Sequence, residues 1–289
     1  MAKILKLLPL FFLSLAFAQD SKVYGKIEAG MENQKQVHNL LSGDTDYDIL
    51  HKYIGTARGR LGYQWQSGWR FGIDLALSGA GGTNNLRGST LVKGLENTPF
   101  STSPKGVATI GANVALHVGY PIFVKNSDEL YLYFSLGNEG TFSTFSAVIT
   151  NLDSTFLQLD LEGRAAVAPK LSIGYGVGIY YVPTPQVILS SYDDEHYMRF
   201  TNVNSDNQVN ADLKGGIWGL HGDLKLIYAA NKYFDVFAKV DAKARFVPKS
   251  ETVQTGVYDV LNNQSLGDVS LYTPKYFSFR SGIYLGIIF

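Results

Sequence analysis

Period-two alternation of apolar and polar side chains recurs ten times along this chain, and it constrains the fold more than any other feature. At the C-terminal end Phe277, Phe279, Ile283, Leu285, Ile287 and Phe289 alternate with Tyr276, Ser278, Arg280, Gly282, Tyr284 and Gly286. Successive side chains of a strand point to opposite faces, so one face here is apolar and the other small, polar or charged. The same pattern marks segments 23–30, 56–65, 69–78, 109–118, 130–137, 157–165, 171–180, 218–226 and 234–243.

A strand in a soluble sandwich alternates too, so the connections decide. Tight turns at 66–68, 168–170 and 229–232, with a slightly longer one at 121–128, alternate with long polar loops. Those loops are 34–50, 79–105, 140–153, 184–210 and 248–274. Short turns at one end and long loops at the other are the asymmetry of transmembrane β-barrels, and bacterial single-chain barrels have an even strand number. The expected fold is therefore all-β: a transmembrane antiparallel up-and-down barrel of ten strands, with five long extracellular loops. Eight or twelve strands stay open, because 141–149 can extend or add pairing. Rings support the class. Tyr63, Trp65, Trp69, Tyr120 and Tyr228 fall on the apolar face beside the short turns, and Tyr53, Tyr181, Trp218 and Phe277 near the long loops. Two such girdles suit the two membrane interfaces. The chain's 18 Tyr and 17 Phe against only 3 Met are consistent with this.

Residues 1–18 read as a signal peptide: Lys3 and Lys6, an apolar run from Leu7 to Phe17, then Ala16-Phe17-Ala18 as the cleavage site. The mature chain, 19–289, is expected to be a single outer-membrane barrel domain. The chain has no cysteine, which excludes a lipid-anchored lipoprotein, disulfides and thiolate metal sites. Without the two leader lysines, 23 of the 25 basic residues remain against 25 acidic ones, a net charge of −2. Nucleic-acid binding needs a concentrated basic surface, so no such partner is expected.

The ending Tyr284-Leu285-Gly286-Ile287-Ile288-Phe289 resembles the C-terminal strand signature of bacterial outer-membrane proteins. That resemblance implies the bacterial cell outer membrane as location and Phe289 as part of the signal read by the barrel assembly machinery. It also implies outer-membrane lipids and lipopolysaccharide as partners, and a monomer is the expected state.

The inward faces carry both signs of charge. Lys26, Arg58, Arg60, Arg70, Arg164, Lys225, Lys239, Lys243, Arg245 and Arg280 face Glu28, Asp74, Asp160, Glu162, Asp223, Asp235 and Asp241. A barrel little wider than eight strands is filled by its own side chains, and buried charges must pair or be solvated. An internal salt-bridge network is the expectation, with His117 and His221 as structural members. A ring of one sign would argue for ion selectivity; this mixture does not.

The most specific chemical motif is Tyr192-Asp193-Asp194-Glu195-His196-Tyr197 in the fourth long loop. Asp194-Glu195-His196-Tyr197 resembles the loop of omptins, ten-stranded outer-membrane proteases. In them an Asp-x-His pair acts with two further aspartates across the barrel mouth to activate water. The resemblance implies Asp194 as the orienting residue and His196 as the general base. The omptin Asp-x-Asp pair of the second loop has no counterpart, since 79–105 contains no aspartate and Glu96 is its single acid. Asp44, Asp46 and Asp48 begin like a calcium loop, but Ile49 and Gly55 stand where that loop needs glycine and glutamate. Gly174, Gly176 and Gly178 share one strand face and make room for inward neighbours rather than cradle a phosphate. No metal site and no cofactor is expected. The leading functional expectation is a non-enzymatic surface barrel whose loops serve adhesion, ligand contact or envelope structure. The alternatives are an omptin-like protease and a narrow channel for small solutes.

Overall fold

A sheet with an apolar face needs something to cover that face, and its edge strands carry unpaired amides; closure into a barrel in lipid solves both problems. The computed structural model describes residues 22–39, 47–80, 86–87, 109–125, 128–145, 148–191, 198–201, 208–259, 261–273 and 275–289. Ten strands form the closed ring: β1 (Lys22–Asn39), β2 (Tyr47–Gln64), β3 (Arg70–Ala80), β4 (Thr109–Lys125), β5 (Asp128–Phe145), β6 (Val148–Ala168), β7 (Leu171–Val182), β8 (Ile217–Ala229), β9 (Asp235–Val247) and β10 (Tyr276–Ile288). Each pairs antiparallel with its sequence neighbours, and β1 closes on β10 from Lys26↔Ile288 to His38↔Tyr276. The up-and-down order and the strand number are those expected from the alternation.

Face assignment follows the parity. Along β10, Ile283 is 67% exposed, Tyr284 is fully buried and Leu285 is 69% exposed. Exposed apolar side chains on every strand of the ring make an outer surface that only lipid can cover. Among the rings, Trp69, Tyr120 and Tyr228 lie exposed at the short-turn end, with Tyr53, Trp218 and Phe277 at the other. Tyr63 departs from the expectation: it is buried, because Trp65 packs edge-on to it at 5.5 Å and to Phe71 at 4.2 Å.

Turn chemistry closes the short end. Gly68, at φ 87°, takes the left-handed position of the β2–β3 turn, where its amide donates to the Trp65 carbonyl at 2.9 Å. Asn231 Oδ1 accepts from the amides of Tyr233 and Phe234 at the β8–β9 turn. Pro121, which cannot donate to the ladder, stands at a bulge in β4 that leaves Ile122 unpaired. The last strand is fastened by reciprocal backbone bonds between Gly25 and Phe289, at 2.8 and 2.9 Å. A Cβ on Gly25 would lie 2.5 Å from the Phe289 ring, so the glycine is the seat of that ring.

At the other end the strands run well past the expected boundaries. Nine to eleven residues suffice to cross a bilayer, yet β1, β2 and β5 have 18 residues and β6 has 21. Segment 140–153, expected as a loop, is a continuation of the β5–β6 hairpin up to Phe145↔Val148. Segment 34–50 is largely strand as well, leaving 40–46 between β1 and β2. Within 184–210, residues Gln186–Ser191 pair with the projecting part of β6, and Gln208–Asp212, which runs past the expected loop end, pairs with them in turn. Met198–Phe200 joins the hairpin Val253–Asp259 and Gln264–Leu271 in a separate three-stranded sheet.

Candidate functional site

Inward parity delivers charged and phenolic side chains from all around the ring into one lumen, where they meet in successive tiers. Nearest the short turns, the Arg70 guanidinium donates to Glu129 at 2.7 Å, to Gln64 at 2.9 Å and to Tyr133 at 3.1 Å, and it lies 3.8 Å from the Tyr131 ring centroid. Arg164 on β6 donates to Asp235 on β9 at 2.7 Å.

The next tier is centred on Arg60. Its Nε donates to Asp74 at 2.6 Å and its Nη2 to the second oxygen of the same carboxylate at 3.2 Å. Its Nη1 reaches Glu162 on β6, nearly opposite in the ring, at 3.0 and 3.2 Å. Asp74 also lies 3.0 Å from Nδ1 of His117, whose Nε2 is 2.5 Å from the Tyr24 hydroxyl. Lys225 pairs with Asp223 at 2.6 Å.

Above it, Arg58 donates to Asp241 at 2.7 Å, to the Tyr284 hydroxyl at 2.7 Å and to Glu32, which also accepts from Tyr284. Lys239 pairs with Glu28. His221 Nε2 lies 2.7 Å from Asp160, which accepts from Gln158 at the same distance. A Cβ on Gly178 would sit 1.9 Å from that Asp160 oxygen and 2.4 Å from His221 Nε2, so this glycine is space for the pair. The uppermost tier holds Arg245 at 2.5 Å from Glu139, Tyr180 donating to the same carboxylate, Arg280 at 3.5 Å from Glu32, and Lys243.

Cavities remain between the tiers. One of about 240 Å³ is lined by Glu32, Arg58, Glu139, His221, Lys243 and Arg280, among others. A smaller one of about 100 Å³ lies toward the short turns beside Tyr24, Arg70 and Tyr133. Lys26, Arg60 and Glu162 border both, so this cross-lumen tier stands between them.

Among the described residues, the long-loop end of β6 to β9 is apolar. Phe156, Val182, Ile217 and Val247 of the barrel wall pack in one buried cluster with Val187, Phe200, Val209, Leu213, Val257 and Leu271 from the projecting strands. This cap was not foreseen from the sequence. Nor were Glu32, Glu129 and Glu139, which lie where strands were expected to have ended or not yet begun. The parity of Glu28 and of Ser135 and Gly137, extended along their strands, would have found all three.

Every lumen residue expected from the sequence, from Arg58 and Arg60 to Arg280, projects inward, but their partners are set by the ring. Asp194 and His196 lie outside the described residues, as does Glu96. Among the described residues no group of three or more His, Asp or Glu side chains is placed to hold a metal ion.

No protein-family model matches the chain, and neither does any curated protein sequence. Among solved structures it is similar to the outer membrane protease OmpT from Escherichia coli. The identity is 11%, over 94% of this chain and 99% of that one, with a TM-score of 0.53. The search also returns Neisserial surface protein A at 13% identity over 68% and 97% of the two chains, TM-score 0.34, and the translocator domain of the autotransporter NalP from Neisseria meningitidis at 11% over 98% and 95%, TM-score 0.38. What the likeness to OmpT shows is the fold, a closed antiparallel ten-stranded β-barrel of the outer-membrane type. Its exposed apolar outer face, closed ladder and charged interior are those of a barrel in the outer membrane.

Proposed function

We propose that the protein is a closed, non-enzymatic surface barrel whose projecting loop strands make contact with a ligand, another surface or lipopolysaccharide. The observation that carries this reading is the apolar cap, in which loop residues such as Phe200 and Val257 share one buried cluster with Val182 and Ile217 of the barrel wall. A buried cluster that fastens projecting strands to the wall favours a rigid display platform over a pore. The cross-lumen pairs Arg60–Glu162 and Arg245–Glu139 support the same reading, because a conducting path needs a continuous wet lumen. Under it, the polar 253–271 hairpin is the part of the surface that meets a partner. Phe289 in its Gly25 seat is the part that the assembly machinery engages.

Reconstitution in planar bilayers tests the reading: no discrete conductance is expected from the intact chain. Stable single-channel steps would replace it with the narrow-channel alternative. Omptin-like proteolysis is the second reading and rests on the Asp194-x-His196 spacing in the long-loop segment.

A further inference from the structure

Lys243 projects into the 240 Å³ cavity with no counter-ion of its own. Register sets His221 of β8 directly opposite it on one side and Arg280 of β10 on the other. The next residues on the same face of its own strand are Asp241 and Arg245. Every nearby carboxylate is engaged elsewhere. Asp241 accepts from Arg58 at 2.7 Å, Asp160 is held by Gln158 and His221, Glu139 by Arg245 and Tyr180, and Glu32 by Arg58 and Tyr284. Among the described residues Lys243 makes no ion pair. Its Nζ lies 4.4 Å from the Tyr180 ring centroid, a ring that the Arg245 guanidinium shares at 4.6 Å. The Nε atoms of Arg245 and Arg280 are buried without a hydrogen-bond partner.

Three costs therefore coincide. Like charges opposite one another on a sheet repel, a charge out of water without a partner is expensive, and so is an unsatisfied buried N–H. A small anion in the cavity would relieve the first two, by facing Lys243 and neutralising the like charges beside it. We propose that this cavity binds a small anion bearing oxygen acceptors, either an inorganic oxyanion or the carboxylate of a small solute, held by Lys243, Arg245 and Arg280. The inference goes beyond the surface-barrel reading, which assigns the lumen a structural part only, and it stands or falls separately from it.

The test is equilibrium unfolding and refolding by urea in lipid vesicles, which lets the anion enter during refolding whatever the state of the mouth. Phosphate, sulfate and acetate are each compared with chloride at one ionic strength. For the wild-type chain, at least one of the three is expected to raise the midpoint in a saturable way. A hundredfold excess over the dissociation constant corresponds to roughly a hundredfold shift in the folding equilibrium. A response to phosphate and sulfate identifies an oxyanion site, and a response to acetate a carboxylate site. Lys243→Met is expected to lose the response, and Lys243→Arg to keep it. Arg280→Gln, expected to weaken it about tenfold, serves as a second reporter if Lys243→Met does not refold. A wild-type midpoint that follows ionic strength alone overturns the proposal. So does an undiminished response in Lys243→Met or, where that variant does not refold, in Arg280→Gln.

Discussion

Arg60 on β2 and Glu162 on β6 join nearly opposite walls of the barrel, with the arginine Nη1 lying 3.0 and 3.2 Å from the two carboxylate oxygens. The same guanidinium holds Asp74 on the neighbouring strand, so one cation ties three strands together through two carboxylates. Such a tie does not simply add stability. Charges removed from water cost several kcal/mol each, and good geometry only offsets that. Its stronger effect is on what happens when one partner is removed.

Glu162→Gln is therefore expected to destabilise the barrel by about 3 kcal/mol, since Arg60 and Lys26 lose a shared counter-charge at a site only partly reached by solvent. Arg60→Met combined with Glu162→Met should cost less than the sum of the single changes. Urea titration of the four species as a double-mutant cycle measures the coupling. Simple additivity would show that the cross-lumen contact has no energetic weight.

Gly178→Ala tests the room left for the Asp160–His221 pair. The added Cβ would fall 1.9 Å from an Asp160 oxygen, on a side chain itself held by Gln158, so the pair must separate or the strand must shift. A loss of about 1–3 kcal/mol in urea is expected, the usual range for overpacking. Gly140→Ala is the control, because no atom lies within 4 Å of its added Cβ.

Phe200→Ala removes a buried ring from the cap while leaving the barrel wall intact. Burial of this kind stabilises locally by about 3–5 kcal/mol. The expected result is faster trypsin cleavage at Lys249 and Arg199, with the membrane-embedded strands still resistant and heat-modifiable on gels. Cleavage rates equal to wild type would mean that the cap does not hold the loop strands down.

For the proteolytic alternative the decisive residue is His196. Under the surface-barrel reading, purified protein with lipopolysaccharide cleaves no peptide of a broad library. If cleavage is seen, and His196→Ala lowers it by about 10²–10⁴-fold in a barrel that still folds, His196 is the general base and the alternative replaces the proposal. Asp194→Asn should then lower the rate as well.

The sequence by itself determined which face every spanning residue takes. Side-chain direction in a strand has a period of two, and lipid outside against charge inside makes that period visible at Ile283, Tyr284 and Leu285 or at Arg58, Gly59 and Arg60. It also pointed to ten strands, through the regular alternation of short and long connections, but left eight and twelve open until the ladder showed 141–149 extending the β5–β6 hairpin. The strand ends were not legible. Segment 32–39 (ENQKQVHN) carries one apolar residue and shows no alternation although it is strand, and Glu32 went unseen with it. Which charges pair was decided only by closure. Arg60 and Glu162 are 102 residues apart, and they meet because ring curvature and stagger bring β2 to face β6 at that height. The cap had the same dependence. Val187, Phe200, Val209, Val257 and Leu271 lie in separate segments up to 84 residues apart, and only the folded loop strands gather them into one cluster, where burial of their side chains outweighs the entropy of ordering those segments.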